Sequence, residues 1–380
     1  MRSFAAFRSL SLFSSVVAPA ALAAAVLTPD FARAQDPAGS QPRAAAPIVV
    51  KVGTSSYDWD LGWGRPVPST SLAGDAPADT TAAKTTPANT TAAGKTVEIG
   101  NTHGCLVVRS NGNILANTDT EHAVVEFSPE GRIVQTWGKE FRGGLHGMCH
   151  RVEAGQEVLY LAHTRRHEVV KATIDGKVLW TIGWPKQSGV YEKEGQYKPT
   201  AVAVAPDGRI FVGDGYGKSW VHVYDKDRNY VKSFGGRGQQ DGKFVTPHGL
   251  WLDDRAEKPL LCVCDRENHR LQWFTLDGVF VRKMDKGLRR PCNVWPLRGG
   301  GLVVADLAGR ITFLDSKDQV VGHVGDNPDP KLRAKNGIPR AQWRDGEFLS
   351  PHSVCVDAKG NVYVMDWNSL GRISRLVPKG

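Results

Sequence analysis

A unit of similar pattern recurs six times along the chain, and this repetition restricts the fold more than any other feature. Each copy begins with an apolar stretch of period two and passes a tight-turn signal such as SNGN, APDG or TLDG. The copies occupy residues 101–138, 144–183, 197–236, 246–284, 290–325 and 350–377. Such alternation predicts strands, and Asn, Asp and Gly at the turns predict hairpins. Four short strands per unit are typical of a propeller blade, so we predict an all-β, six-bladed β-propeller over residues 96–380.

The last unit contains only three strand patterns, which leaves its blade incomplete. A closed ring removes the exposed edge that an open sheet would leave. Two apolar stretches nearer the N-terminus, PIVVKVG at 47–53 and KTVEIG at 95–100, are able to supply an outer strand. We predict that one of them closes the ring, with the aromatic stretch 56–68 as a lead-in to the folded body.

The N-terminal part has the composition of a targeting segment followed by a spacer. A positive start and an alanine-rich apolar run precede a small-residue cleavage site at Ala32-Arg33-Ala34, so we predict a secretory signal peptide over 1–34. Residues 35–95 have a biased composition that predicts a low-complexity, disordered linker. No later apolar run approaches the roughly 18 to 20 residues of a membrane span. We therefore expect an exported chain, periplasmic or extracellular, without membrane insertion.

Charge bears on the kind of partner that the chain can bind, and cysteine content bears on whether it can form disulfides. The formal net charge is +9, but the Lys and Arg residues form no basic block with interleaved aromatic residues, so the pattern does not favour a nucleic-acid partner. Six cysteines in an exported chain permit disulfides, yet most lie inside predicted strands, and the sequence leaves open whether any pair forms. Cys262 and Cys264 point to the same face of one strand and are not expected to bridge each other.

Alignment of the six units on their first strand puts one residue of each unit at the same position. These residues are His103, His146, Thr200, His248, Cys292 and His352. Four of the six are histidines, although the whole chain has only 11. The first strand of a propeller blade lies beside the central channel, so equivalent residues form a ring around the axis. Blades two, four and six are about 120° apart, which predicts that His146, His248 and His352 converge as a three-histidine metal site.

Each histidine taken alone also has a simpler interpretation. A histidine at a strand entrance is usually a surface or hydrogen-bonded residue without a functional role, and it is the three-fold arrangement that favours a metal site for the trio. His103 breaks that pattern, and it either faces the substrate, supports a ligand or has no role. Thr200 and Cys292 are expected to line the channel, although a Cys292 thiolate would bind zinc if it reached the ion.

Two stretches, GGRGQQDGKFVTPHGLWLD and LCVCDRENHRLQWFTLDG, resemble NHL repeats. More narrowly, YKPTAVAVAPDGRIFVGDGYGKSW, GKFVTPHGLWL and FLSPHSVCVD resemble the lyase domain of peptidylglycine α-amidating enzymes. The resemblance implies a six-bladed propeller that cleaves a peptidyl-α-hydroxyglycine to a peptide amide and glyoxylate. It implies zinc on His146, His248 and His352, and it gives Tyr216 of GDGYGKS the task of taking a proton from the substrate hydroxyl.

The sequence departs from the family at positions that matter for this reaction. Thr118 and Asp119 follow the second strand of blade one, where the family has an essential arginine. A methionine two residues before the last histidine ligand is Ser350 here, and the acidic residue after that histidine, a calcium ligand in the family, is Ser353. These changes put the orientation of a substrate carboxylate and the presence of calcium in question. Three arginines that end second strands in other blades are candidates to replace the missing one: Arg165, Arg166 and Arg266.

The sequence thus predicts an exported, metal-dependent lyase with zinc, and with calcium as a further candidate ion. Its catalytic candidates are Tyr216 and Arg266, and its candidates for substrate binding are His103, Arg165 and Asp119. The substrate is expected to be small or peptide-like, and a protein partner on a propeller face stays open. Two other functions remain: a non-catalytic NHL propeller that binds protein or glycan partners, and a lactonase-like metal hydrolase, for which acidic channel residues are expected.

Overall fold

The computed structural model describes residues 48–60, 63–64 and 99–379. The predicted signal peptide over 1–34 lies outside the described residues, and so does the predicted linker over 35–95 apart from 48–60 and 63–64. Everything below concerns the described residues.

Six antiparallel sheets contain all the named strands of the described residues, one sheet for each predicted unit. Strands β1 (Ile48–Val52) and β2 (Ser55–Asp60) come first in the chain. Blade one contains β3 (Thr102–Val108), β4 (Ile114–Thr118), β5 (Val124–Phe127) and β6 (Ile133–Trp137). Blade two contains β7 (Leu145–Glu153), β8 (Gln156–His163), β9 (Glu168–Thr173) and β10 (Val178–Ile182). Blade three contains β11 (Ala201–Val204), β12 (Ile210–Gly213), β13 (Trp220–Tyr224) and β14 (Tyr230–Gly235).

The second half of the chain repeats this order. Blade four contains β15 (Pro247–Asp253), β16 (Leu260–Asp265), β17 (Arg270–Thr275) and β18 (Phe280–Met284). Blade five contains β19 (Pro291–Pro296), β20 (Leu302–Asp306), β21 (Arg310–Leu314) and β22 (Val320–Val324). Blade six contains β23 (Pro351–Val356), β24 (Val362–Asp366) and β25 (Arg372–Pro378), together with β2 and β1. The all-β, six-bladed architecture is confirmed.

Helical structure is confined to short 3₁₀ turns between strands. They span Lys139–Phe141, Lys186–Ser188, Glu194–Gln196, Arg266–Asn268, Pro330–Leu332 and Arg340–Gln342. Among the described residues, therefore, no helix has the length and apolar character to traverse a bilayer.

The apolar core is divided into six clusters, each between two adjacent blades. Leu115 of blade one packs with Leu161 of blade two, and Val263 of blade four packs with Phe211 of blade three. The second and third strands of a blade lie between two neighbours, so strands such as β4, β5 and β12 are buried on both faces. The outermost strands, for example β18, alternate buried and accessible residues. Radial stacking therefore buries a large core without a single centre.

The innermost strands form a closed ring around the axis. Each of β3, β7, β11, β15, β19 and β23 contacts the next, and β23 contacts β3 to complete the circle. Backbone hydrogen bonds also join blade one to the β24–β25 turn of blade six. The Thr102 amide donates to the Asn368 carbonyl at 3.0 Å, and the Asn368 amide donates to the Thr102 carbonyl at 3.2 Å.

The last blade is completed from the N-terminal side, but by a different strand from the one expected. Strand β2 pairs with β25, with Trp59 opposite Leu376, and is therefore the fourth strand of blade six. The predicted closing segment 47–53 does contain a strand, β1, but β1 pairs with β2 and lies one position further out. Aromatic packing explains why β2, from the stretch 56–68, lies inside β1. Trp59 of β2 is almost fully buried, and its ring centroid lies 4.4 Å from that of Phe348.

All six cysteines are free thiols, which answers the question that the sequence left open. Four are buried inside the sheets, namely Cys262, Cys264, Cys292 and Cys355.

Candidate functional site

Four histidine side chains meet at the entrance of the central channel. Each is the second residue of an innermost strand: His103 in β3, His146 in β7, His248 in β15 and His352 in β23. The ring centroids of His146, His248 and His352 lie 4.6–4.9 Å apart, and that of His103 lies 4.9 Å from those of His146 and His352. The structure thus brings the predicted trio together and adds the fourth imidazole beside it.

Backbone carbonyls fix the orientation of the three trio rings. The Nδ1 atom lies 2.7 Å from the Thr200 carbonyl oxygen in His146, 3.0 Å from that of Cys292 in His248, and 2.8 Å from that of Gly104 in His352. A carbonyl only accepts hydrogen bonds, so each Nδ1 carries the proton and donates it. Each carbonyl belongs to the next blade around the ring. The neutral tautomer that results leaves the Nε2 lone pair of each ring available.

A small residue after each trio histidine permits this arrangement. A Cβ atom on Gly147 would lie 2.6 Å from the Thr200 carbonyl oxygen, and one on Gly249 would lie 2.4 Å from that of Cys292. Both distances are too short for a real contact, so glycine lets the blades approach closely enough for the preceding histidine to reach its carbonyl. Blade six has Ser353 instead, whose hydroxyl accepts a hydrogen bond from the Leu106 amide at 2.9 Å.

The three Nε2 atoms of the trio have too few hydrogen-bond donors among the described residues. The Tyr216 hydroxyl lies 3.1 Å from Nε2 of both His146 and His248, but a single hydroxyl proton satisfies at most one of them. The buried Nε2 atom of His352 has no hydrogen-bond partner among the described residues. Two of the three lone pairs are therefore uncompensated, which is costly for buried polar atoms. This is the arrangement that a cation would satisfy.

The protonation state of the trio also suits a metal ion. Burial lowers the pKa of His146, His248 and His352 well below the usual imidazole value, and the neighbouring His103 lowers it further in His146. Neutral imidazoles are good ligands for divalent transition metals. Two overlapping sets have ligand atoms within 4.8 Å of one another: His103, His146 and His352, and His248, Cys292 and His352. The predicted trio spans both sets, with His352 in common and the Tyr216 hydroxyl between the other two rings.

Tyr216 and Arg266 form the wall of the site above blades three and four. The Arg266 guanidinium donates to the Tyr216 hydroxyl at 3.2 Å and lies 5.3 Å from the centroid of the tyrosine ring. Burial raises the pKa of Tyr216, and the positive charge of Arg266 opposes that effect. Burial likewise raises the pKa of the neighbouring Cys292 thiol to about 11, so without a bound ion this thiol is neutral at neutral pH.

A buried carboxylate supports the loop that carries Tyr216. Asp214 accepts hydrogen bonds from the Lys198 amide at 2.7 Å and the Lys218 amide at 2.5 Å. It also accepts one from the Tyr191 hydroxyl at 2.5 Å, and His222 contacts the same hydroxyl at 2.7 Å. These bonds fix both ends of the turn and hold the phenol over the histidine ring.

The three predicted substrate-binding residues have different surroundings. Asp119 lies beside His103, with 3.1 Å between its Oδ2 atom and the imidazole Nδ1, so this pair belongs to the histidine cluster itself. Arg165 is exposed and lines an open pocket of about 780 Å³ next to Tyr216. The other lining residues are Thr164, His167, Gly195, Lys198 and Tyr216. Sequence reasoning missed Lys198, because only the folded connection between β10 and β11 brings it to Arg165. It also missed His167, which lies in the same turn as Arg165 between β8 and β9.

The channel below the ring does not fit the calcium that the resemblance suggested. Its cavity of about 350 Å³ is lined mainly by apolar side chains, thiols and backbone, and the Ser353 hydroxyl contacts the Cys105 thiol of this wall at 3.6 Å. Calcium requires six to eight oxygen ligands, usually with carboxylates among them. Within the described residues Asp254 is the only acidic side chain on the cavity wall. The lactonase-like alternative, which expects an acidic channel, loses support for the same reason.

Known proteins with similar sequences belong to one family. Peptidyl-alpha-hydroxyglycine alpha-amidating lyase 1 of Drosophila melanogaster is 30% identical over 278 residues, which are 68% of this chain and 49% of that protein. A probable lyase of the same name from Caenorhabditis elegans is 30% identical over 208 residues, which are 47% of this chain and 56% of that protein. The chain is a six-bladed propeller homologous to the amidating lyases. It spans about half the length of these curated relatives.

Solved structures support the architecture alone. A streptogramin B lyase superposes with a TM-score of 0.51 at 12% identity, covering 74% of this chain and 94% of that one. No family model matches the chain.

Proposed function

We propose that this propeller is an exported, metal-dependent lyase that cleaves N-acylated α-hydroxyglycines to an amide and glyoxylate. The observation that carries the proposal is the position of the Tyr216 hydroxyl, 3.1 Å from Nε2 of both His146 and His248 and 3.2 Å from the Arg266 guanidinium. A proton-accepting oxygen beside three convergent imidazoles is what such a reaction needs, and the homologous proteins carry the name of this activity.

The reaction requires no oxidant and no water. The substrate hydroxyl loses its proton, the carbon–oxygen bond becomes a carbonyl, and the bond between that carbon and the amide nitrogen breaks. The nitrogen takes up one proton and leaves as a primary amide. The protein must therefore accept one proton, return one proton and hold the two ends of the substrate.

His146, His248 and His352 would hold the ion, and three neutral imidazoles with room for a further ligand suit zinc. When bound, zinc supplies a Lewis acid that polarises a substrate oxygen and favours the anionic form of a nearby phenol. The orphaned Nε2 lone pairs of the trio are the structural reason for assigning the ion to this position.

Tyr216 is the base in this scheme. The guanidinium of Arg266 stabilises the phenolate because it donates to the same oxygen that would lose its proton. Without a second cation, burial keeps the pKa of Tyr216 raised, so the phenol is poised to ionise only in the loaded site.

The pocket beside Tyr216 would bind the anionic end of the substrate. Arg165 and Lys198 line this pocket and both are exposed, so they offer two cations to a carboxylate. The carboxylate of Asp119, which contacts His103 on blade one, would repel a substrate carboxylate. The substrate carboxylate is therefore expected to lie toward blades two and three.

A glyoxylate assay tests this function on the mature protein loaded with zinc. With an N-acyl-α-hydroxyglycine as substrate, equimolar release of amide and glyoxylate is expected, and His248→Ala should abolish it. Zinc-loaded protein that releases neither product would overturn the proposal. In that case a partner that is still captured after His146→Ala and His352→Ala would favour the non-catalytic binding function.

A further inference from the structure

His103 has the same register as the trio, and it lies as far from two of its members, His146 and His352, as those two lie from each other. Its ring centroid is 4.9 Å from those of His146 and His352, which are themselves 4.9 Å apart. One ring nitrogen from each of these three residues falls within 4.8 Å of the others. His103 therefore lies within reach of the ion that the trio would hold.

The orientation of the His103 ring is fixed by a carboxylate. Its Nδ1 atom lies 3.1 Å from Oδ2 of Asp119, and a carboxylate at neutral pH only accepts. Nδ1 therefore donates its proton, and the Nε2 atom keeps a lone pair. A carboxylate–histidine–metal relay of this kind orients ligands in many metal sites and raises their basicity.

Asp119 is itself held in place. The Asn101 side-chain amide donates to the same Oδ2 atom at 2.7 Å, and the Asp119 backbone amide donates to the Asn101 carbonyl at 2.9 Å. These two hydrogen bonds hold the Asp119 carboxylate in a position that orients the His103 ring. Tyr216 has ring contacts with His146 and His248 but none with His103 among the described residues.

We propose that His103 is a fourth imidazole ligand, oriented by Asp119, so that the centre in this chain takes its protein ligands from blades one, two, four and six. The inference rests on the proposed metal site and goes beyond it. Four protein ligands leave the substrate a fifth position, which zinc accepts, on the open side next to Tyr216. Asp119 then acts as a positioning residue and does not contact the substrate.

X-ray absorption at the zinc edge of the full chain tests this ligand set directly, because it counts imidazole nitrogens around the ion. Wild type is expected to show four imidazoles, and His103→Ala three. Competition with a chromogenic chelator should show a zinc dissociation constant that is about 10- to 100-fold higher in Asp119→Asn, and a rise at least as large in His103→Ala. His122→Ala is the matched control, since His122 is a half-buried imidazole of the same blade that bonds Thr136 instead.

Each outcome decides a different claim. Three imidazoles in wild type, or an unchanged dissociation constant in a folded His103→Ala variant, would overturn the fourth ligand and leave the trio intact. Wild-type protein that binds no zinc at all would overturn the metal site and the proposed function together. If His103→Ala fails to fold, the imidazole count of wild type and the affinity of His103→Gln still decide.

Discussion

Tyr216 is the single residue that offers the clearest test of the proposed reaction, because its hydroxyl contacts two imidazoles and a guanidinium. Removing only that oxygen, in Tyr216→Phe, leaves the ring to pack as before and takes away the base. We expect kcat to fall by about 10²- to 10⁴-fold with unchanged zinc content, as for the loss of a general base. Steady-state kinetics and metal analysis measure both. Tyr230→Phe is the control, since Tyr230 bonds Ser233 on an outer strand, and an unaltered kcat in Tyr216→Phe would contradict the assignment.

Arg165 allows a second prediction at the same scale. Arg165→Ala should raise KM for a carboxylate-bearing substrate about tenfold, the low end for a hydrogen bond to a charged group, because the site is open to solvent. The effect should shrink for a substrate whose carboxylate is esterified. Arg166→Ala is a close control, since the neighbouring guanidinium pairs with Glu168 at 2.6 Å and does not line the pocket. Equal effects of the two variants would argue against the proposed anion pocket.

Single residues also show what the sequence could and could not reveal about the site. The register of His146, His248 and His352 was readable because each follows the start of a repeat. The pairing of His103 with Asp119 was not, because it joins the start of β3 to the loop after β4 across a bulged register. Lys198 was missed for a related reason: its position depends on the connection that Tyr191 and Asp214 hold in place.

At the level of elements, the N-terminal strands β1 and β2 complete the last blade. The sequence predicted an added strand but not its order, since an apolar period of two does not say which neighbour a strand pairs with. The decision came from packing, because β2 contributes Tyr57 and Trp59 to the core between blades five and six.

This closure can be tested by truncating one side chain. Trp59→Ala should lower the free energy of unfolding by about 3 to 5 kcal/mol, the cost of emptying a buried tryptophan site. Val49→Ala on the neighbouring strand should change it by less than about 0.5 kcal/mol, because Val49 is 44% exposed. Denaturant titrations measure both. Similar midpoints for the two variants would mean that β2 does not close the ring in solution.

His222 on strand β13 gives a prediction about how the free energy of unfolding depends on pH. Burial lowers the pKa of His222 in the folded protein to about 3, whereas an unfolded imidazole titrates near pH 6.5. Below that pH the unfolded chain binds a proton that the folded chain does not, so stability falls as pH falls. His222 should contribute a loss of about 1.4 kcal/mol per pH unit between pH 6 and pH 4. His222→Gln should remove this part of the slope in unfolding titrations, and equal slopes in wild type and His222→Gln would contradict the prediction.

At the scale of the whole molecule, the histidine trio brings together blades two, four and six, which are not adjacent. The buried residues of each apolar cluster come from two adjacent blades, whereas the histidines come from blades one, two, four and six. The number of blades was predictable because each repeat carries its own turns and strands. The scarcity of acidic side chains in the channel was not predictable, since the channel wall is made of residues from all six innermost strands. A bound ion would add a cross-link at the axis that the cores do not supply.

The metal content of the purified protein decides whether the histidine trio binds an ion. Mass spectrometry after dialysis against zinc should find one ion per chain in wild type and in the control His323→Ala, whose imidazole bonds Thr312 near the outer strand of blade five. His248→Ala should lose the stoichiometric ion, and with it the rise in thermal stability that zinc gives wild type, about 2.7 kcal/mol at a hundredfold excess over the dissociation constant. Wild type without stoichiometric zinc, or a His248→Ala variant that binds zinc as wild type does, would contradict the account.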